Sequence, residues 1–160
     1  MSEIEKVIFL FKKYKKTLSL AESCTGGLLA ATLCSYPGVS SIFGLGVIAY
    51  SNEMKNKLLK VKKRTLSKRG AVSVQVVREM AEGVLKLSGA DFAISISGIA
   101  GPTGGTSEKP VGTVWFCVAE KNGGYIAKKY QFSGSRREIQ KQAEKESWKI
   151  LLDLWEKIYG

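Results

Sequence analysis

A short apolar run, Leu18 to Leu20, leads straight into Ala21-Glu22-Ser23-Cys24-Thr25-Gly26-Gly27 and then into an Ala/Leu-rich run, Leu28 to Leu33. That order imposes a strand, a sharp turn and a small-residue helix able to pack close to a sheet. Ser23 then stands where the strand hands over to the helix, and two glycines let another group approach the backbone closely. Unpaired N–H groups at the helix start are expected to face whatever binds there and to favour negative charge. A second segment, Tyr50-Ser51-Asn52-Glu53-Met54-Lys55, follows another apolar run. A serine at a turn, with a lysine and a tyrosine brought from elsewhere, is one way to build a nucleophile without histidine.

The rest of the chain supplies the frame. Ile4, Val7, Ile8, Phe11 and Tyr14 recur at helical spacing, and lysines collect at the end of that run, as a helix dipole favours. This predicts an opening helix of about four turns. Strands are predicted over Thr17–Glu22 and Ile42–Tyr50, the second buried and carrying Gly44 and Gly46 where something packs closely. Ser51 or Asn52 caps a short helix, and Val61 to Gly70 is a basic connection with at most one helical turn. Ser73 caps a helix whose apolar face is Val76, Val77, Met80, Val84 and Leu87. Strands follow over Phe92–Ser97 and Val111–Ala119. The turn Asn122-Gly123 leads to a partner strand at Tyr125–Phe132. Ser135 and Glu138 form a capping box for the last helix. This order predicts α/β with a mixed sheet, in one domain spanning residues 1–160.

Several chemistries are excluded at once. The chain contains no histidine, which removes Ser-His-Asp, Cys-His and HExxH mechanisms. Acid–base work falls to lysine, tyrosine, cysteine, a carboxylate or water. Cys24, Cys34 and Cys117 are scattered, which fits reduced thiols better than a disulfide frame or a zinc site. Cys24 beside Ser23 is a second candidate nucleophile, although a small buried residue is the plainer reading. No metal and no cofactor are expected. No apolar run approaches the roughly 20 residues of a membrane helix, and the first residues carry acids where a signal peptide has bases. A cytoplasmic protein without a membrane partner is expected.

The formal net charge is +11, and eight of the fifteen residues from Lys55 to Arg69 are basic. A solvated lysine-rich surface explains this. A nucleic-acid site is the sharper alternative, but the stretch has no aromatic residue on which bases would stack. A basic surface also attracts a phosphorylated small molecule. Self-association is left open.

From Gly98 to Pro110 runs a glycine-rich loop with several hydroxyls and Lys109. It matches neither the Walker A pattern nor GxGxxG, and it leads into a strand. Thirteen residues are long for an idle connection. AESCTGG, YSNEMK, AVS and SGIAGPTGGTSEKPVGTVWF, in this order, resemble the CinA C-terminal domain family from about Thr17 to Phe132. The resemblance implies a three-layer α/β/α sandwich. It implies an amidohydrolase that converts nicotinamide mononucleotide to nicotinic acid mononucleotide and ammonia. On the matching positions it implies Ser23 as nucleophile, Tyr50 as proton-relay partner and Lys55 as general base. Substrate contacts would come from Thr25, Gly26, Gly98, Gly101, Gly104, Gly105 and Lys109. The partner it implies is a phosphorylated pyridine nucleotide. Activities tied to the large second domain of full-length CinA proteins do not carry over.

A neutral lysine takes a serine proton only if its pKa falls from the ordinary value of about 10.4. A helix dipole supplies under one unit of that, so burial must do most of it. Two rival readings stand beside the catalytic one. In the first, Ser23 is a helix cap and Lys55 a surface lysine. In the second, the same pocket binds a nucleotide without turnover.

Overall fold

The computed structural model describes residues Met1–Gly160. It begins with α1 (Glu3–Lys13), three turns rather than four, opened by a capping box between Ser2 and Glu5. Then come β1 (Leu18–Glu22), α2 (Leu28–Cys34), β2 (Phe43–Ile48) and α3 (Asn52–Leu59). The basic connection holds α4 (Lys63–Arg69), longer than the single turn expected. It is followed by α5 (Val74–Ser88), β3 (Phe92–Gly98), β4 (Thr113–Glu120), β5 (Tyr125–Gln131) and α6 (Arg136–Tyr159). No helix is long and apolar enough to cross a membrane.

The five strands form one mixed sheet in the order β2-β1-β3-β4-β5. β1 is parallel to both β2 and β3, while β3-β4 and β4-β5 are antiparallel. Helices α1, α2 and α6 cover one face and α3, α4 and α5 the other, giving a three-layer α/β/α sandwich.

Strand alternation explains how the layers differ. Leu18, Leu20, Phe92, Ile94, Ile96, Phe116 and Val118 point into the larger core, beneath α1, α2 and α6. There Phe11, Phe92 and Trp155 pack ring against ring and dock the last helix. The opposite face of the same strands carries Ser19, Ala21, Ala93, Ser95, Cys117 and Ala119. These small side chains let α5 lie close to the sheet, and Ser95 donates a hydrogen bond to the Val77 carbonyl at 2.5 Å. Gly83 does the same between α5 and α3, since a Cβ there would overlap the Leu59 carbonyl.

β2 departs from the buried strand expected of it. It is an edge strand whose residues alternate between partly buried and exposed, because only β1 covers its flank.

Candidate active site

The site is made by register. Glu22 pairs with Ile48 on β2 and with Ile96 on β3, so β1 and β2 end at one level while β3 runs two residues further, to Gly98. One residue past that level lie Ser23, Ala49 and, still within β3, Ser97. The Ser23 N–H donates to the Ile96 carbonyl at 3.1 Å, and the Ala49 N–H to the Glu22 carbonyl at 2.9 Å. β1 continues into α2 on one face of the sheet and β2 into α3 on the other. Chains leaving to opposite sides open a crevice at the strand ends, the usual ligand position in such sheets.

Lys55 reaches that crevice because Ser51 caps α3. The Ser51 hydroxyl accepts from the Met54 N–H at 3.1 Å, which starts the helix and places Lys55 one turn on, facing inward. Its side chain is only 1% exposed. The Lys55 amine contacts three oxygens: Ser23 Oγ at 2.9 Å, the Ala49 carbonyl at 3.0 Å and the Tyr50 carbonyl at 3.2 Å. No carboxylate forms an ion pair with it. Burial without a counter-ion holds its pKa below the ordinary lysine value, and only the neighbouring Cys24 opposes the shift.

This geometry orients the lone pair of the neutral amine. Two of the three neighbours are carbonyls, which only accept, so two N–H bonds must point at them. The third direction meets a hydroxyl that can either accept or donate. As an ammonium, Lys55 donates to Ser23. As a neutral amine, it aims its lone pair at the Ser23 proton.

A surface lysine is therefore not what Lys55 is. Nor does Ser23 cap a helix, since the residue before α2 is Gly27 and makes no side-chain cap. The helix start is not free to bind an anion either. The Glu22 carboxylate, 1% exposed, accepts from the Leu29 and Ala30 N–H groups, each at 3.0 Å, and from the Thr25 hydroxyl at 2.6 Å. A buried acid already neutralises that dipole end. Of the turn's donors, the Cys24, Thr25 and Gly27 N–H groups remain without a partner in the chain. The Cys24 thiol is pushed up to about 12 by burial, so it stays protonated and is a poor nucleophile.

The other expected site residues divide among three concavities. A cavity of about 170 Å³ is lined by Ser23, Lys55, Tyr50, Ser97, Gly98 and Arg136. Thr25 and Gly26 open instead onto a neighbouring hollow beside Arg137 and Lys141. Lys109 lines a groove on the other side. Gly101 offers its carbonyl to Arg136 at 2.7 Å. Gly101 and Gly105 let the loop fold back on Val111, whose atoms leave no room for a Cβ at either position. Gly104 touches none of these three walls. The Tyr50 side chain is 60% exposed, and its hydroxyl accepts from Arg136 at 2.8 Å. The structure thus brings the Tyr50 carbonyl, not its hydroxyl, to Lys55.

Three residues had no role in the sequence reading. Arg136 is the first residue of α6, placed by the Ser135–Glu138 capping box, and spans the cavity mouth from Tyr50 to Gly101. Nothing local marks it. Ser97 is the last residue but one of β3 and its hydroxyl makes no hydrogen bond within the chain; a serine closing the strand expected over Phe92–Ser97 was the available signal. Glu22 was the acid inside a buried strand end, which needs a partner for its charge.

Fold and site together define an α/β/α sandwich that holds a serine hydroxyl against a buried, unpaired lysine amine at its parallel strand ends. The chain belongs to the CinA C-terminal domain family, whose model matches residues 2–155. It is 53% identical over 135 residues to a CinA-like protein of Thermotoga sp. (strain RQ2), covering 84% of this chain and 33% of that protein. The chain therefore spans about a third of the length of such relatives. A protein of Enterobacter agglomerans named nicotinamide-nucleotide amidohydrolase PncC is 54% identical over 126 residues, covering 79% of this chain and 77% of that one. Among solved structures, the competence/damage inducible protein CihA of Agrobacterium tumefaciens superposes with a TM-score of 0.93 at 37% identity, over 95% of this chain and 93% of that one.

Proposed function

We propose that the chain hydrolyses the carboxamide of a nicotinamide nucleotide, nicotinamide mononucleotide first among them, to the nicotinic acid nucleotide and ammonia. The observation that carries this reading is the Lys55 amine 2.9 Å from Ser23 Oγ, with its other two hydrogens committed to carbonyls. The named amidohydrolase among the relatives supplies the substrate class. Ser23 Oγ attacks the amide carbon while its proton passes to Lys55. The Cys24 and Thr25 N–H groups and the Ser97 hydroxyl are the donors available to the oxyanion. The C–N bond then breaks, and Lys55 returns its proton to the departing nitrogen, which leaves as ammonia. Water attacks the resulting ester, giving a proton to Lys55, and the acid leaves as Ser23 recovers its hydrogen. Tyr50 and Arg136 close the mouth of the cavity, where Arg136 offers a cation to an anionic part of the substrate. A cytoplasmic setting agrees with such chemistry.

Ammonia release from nicotinamide mononucleotide tests the reading. We expect turnover by the wild-type chain and its loss in Ser23→Ala, with folding unchanged and nucleotide still bound. Binding without turnover in the wild type would make the chain a nucleotide-binding module. Near-normal turnover in Ser23→Ala would remove the covalent route.

A further inference from the structure

The Ser23 cavity, at about 170 Å³, is smaller than the roughly 300–1,000 Å³ of ordinary ligand pockets. Beside it lies a larger groove of about 410 Å³, and Val72 lines both. The groove is walled by the end of α4, the start of α5, the far end of the glycine loop and two cross-strand pairs, Thr113 with Gln131 and Trp115 with Lys129.

Its charge is one-sided. Lys68, Arg69, Lys109 and Lys129 converge on it, and Glu108 is the single carboxylate. None of the four cations is in an ion pair; the pairs in the molecule are Lys121–Asp91, Lys128–Asp153 and Lys149–Glu146. Lys109 is held in place, its amine donating to the Arg69 carbonyl at 2.7 Å, which ties the loop to α4. Like charges gathered around one concavity repel unless an anion enters. The groove also carries an aromatic surface, since Trp115 is partly exposed there with the Lys129 amine 6.0 Å from its ring centre.

We propose that this groove binds a nucleoside phosphate, with the phosphate among the four cations and the base against Trp115. Two sources share that chemistry: the phosphate-bearing part of a substrate extending past Val72, or a separate free nucleotide. The amide chemistry is not needed for the binding itself.

The test is a titration of the whole chain with AMP and, separately, inorganic phosphate, read by tryptophan fluorescence. Trp148 and Trp155 are 2% and 7% exposed, so a response to a stacked base reports Trp115. We expect saturable AMP binding, tighter than phosphate. Lys68→Glu and Lys129→Glu should each raise the AMP Kd by about tenfold or more, and Lys149→Glu on α6 should leave it unchanged. Absence of saturable AMP binding overturns the proposal. So does equal weakening by Lys149→Glu, which would mean general charge attraction. Binding indifferent to both groove variants also overturns it, because AMP would then lie elsewhere. Where binding follows expectation, competition between AMP and nicotinamide mononucleotide identifies the substrate's own phosphate as the occupant, and lack of competition a separate nucleotide. A chain that binds AMP in the groove but releases no ammonia would fail the amidase reading alone.

Discussion

Glu22 and Lys55 are equally buried, each 1% exposed, and flank the same serine from opposite sides of the crevice. Their surroundings differ in kind. The Glu22 carboxylate accepts three hydrogen bonds, two of them from the first turn of α2, so its charge is matched by fixed dipoles. Lys55 has two carbonyls and a hydroxyl but no anion, so its charged form is the one that burial penalises. The same depth of burial yields a structural clamp on one side and, in the proposed reaction, a proton acceptor on the other. What separates them is the supply of compensating charge.

The largest effect should come from breaking the Lys55 side. Lys55→Arg keeps the charge but cannot lose a proton in this range, and Lys55→Met has none to lose. Both should cut turnover by about 10²–10⁴-fold, the usual contribution of a general base. In the wild type, turnover should rise with pH through the lowered pKa of Lys55. Steady-state rates over a pH series check this; an active Lys55→Arg chain would reduce Lys55 to a positioned charge.

Breaking the Glu22 side should be felt in stability first. Glu22→Ala leaves two helix N–H groups and the Thr25 hydroxyl without their acceptor, costing about 1–3 kcal/mol. Glu22→Gln, which keeps one carbonyl acceptor, should cost less. Denaturant midpoints measure both. If Glu22→Ala were as stable as the wild type, the clamp would be idle.

The smallest effect sharpens the contrast by its sign. Lys55 binds its proton less tightly folded than unfolded. Between its lowered pKa and about 10.4 the unfolded chain therefore holds more protons, and stability rises with pH there. Below that window both states are protonated and the penalty is constant. The stability of the wild type relative to Lys55→Met should thus climb through the window and be flat beneath it. A difference that fell with rising pH would mean that Lys55 is paired after all.

Much of this was determined by the sequence alone. Hydrophobic period, capping residues and turn signals are local, so every helix but α4, the strands, the Asn122-Gly123 hairpin and the strand–turn–helix around Ser23 could be read directly. The order of elements implied the mixed sheet, and the family resemblance of the motifs singled out Ser23, Tyr50 and Lys55. Tertiary structure decided what those residues face. Pairing of Glu22 with both Ile48 and Ile96 sets Ser23 beside Ala49 and Ser97, and such register depends on strands far apart in the chain. It made β2 an edge, filled the start of α2 with Glu22, turned the Tyr50 hydroxyl to Arg136 and distributed the glycine loop's residues over separate walls. Above all it buried Lys55 without a counter-ion. A lysine's chemistry depends on the water and charges around it, and those are set by every element that packs against it.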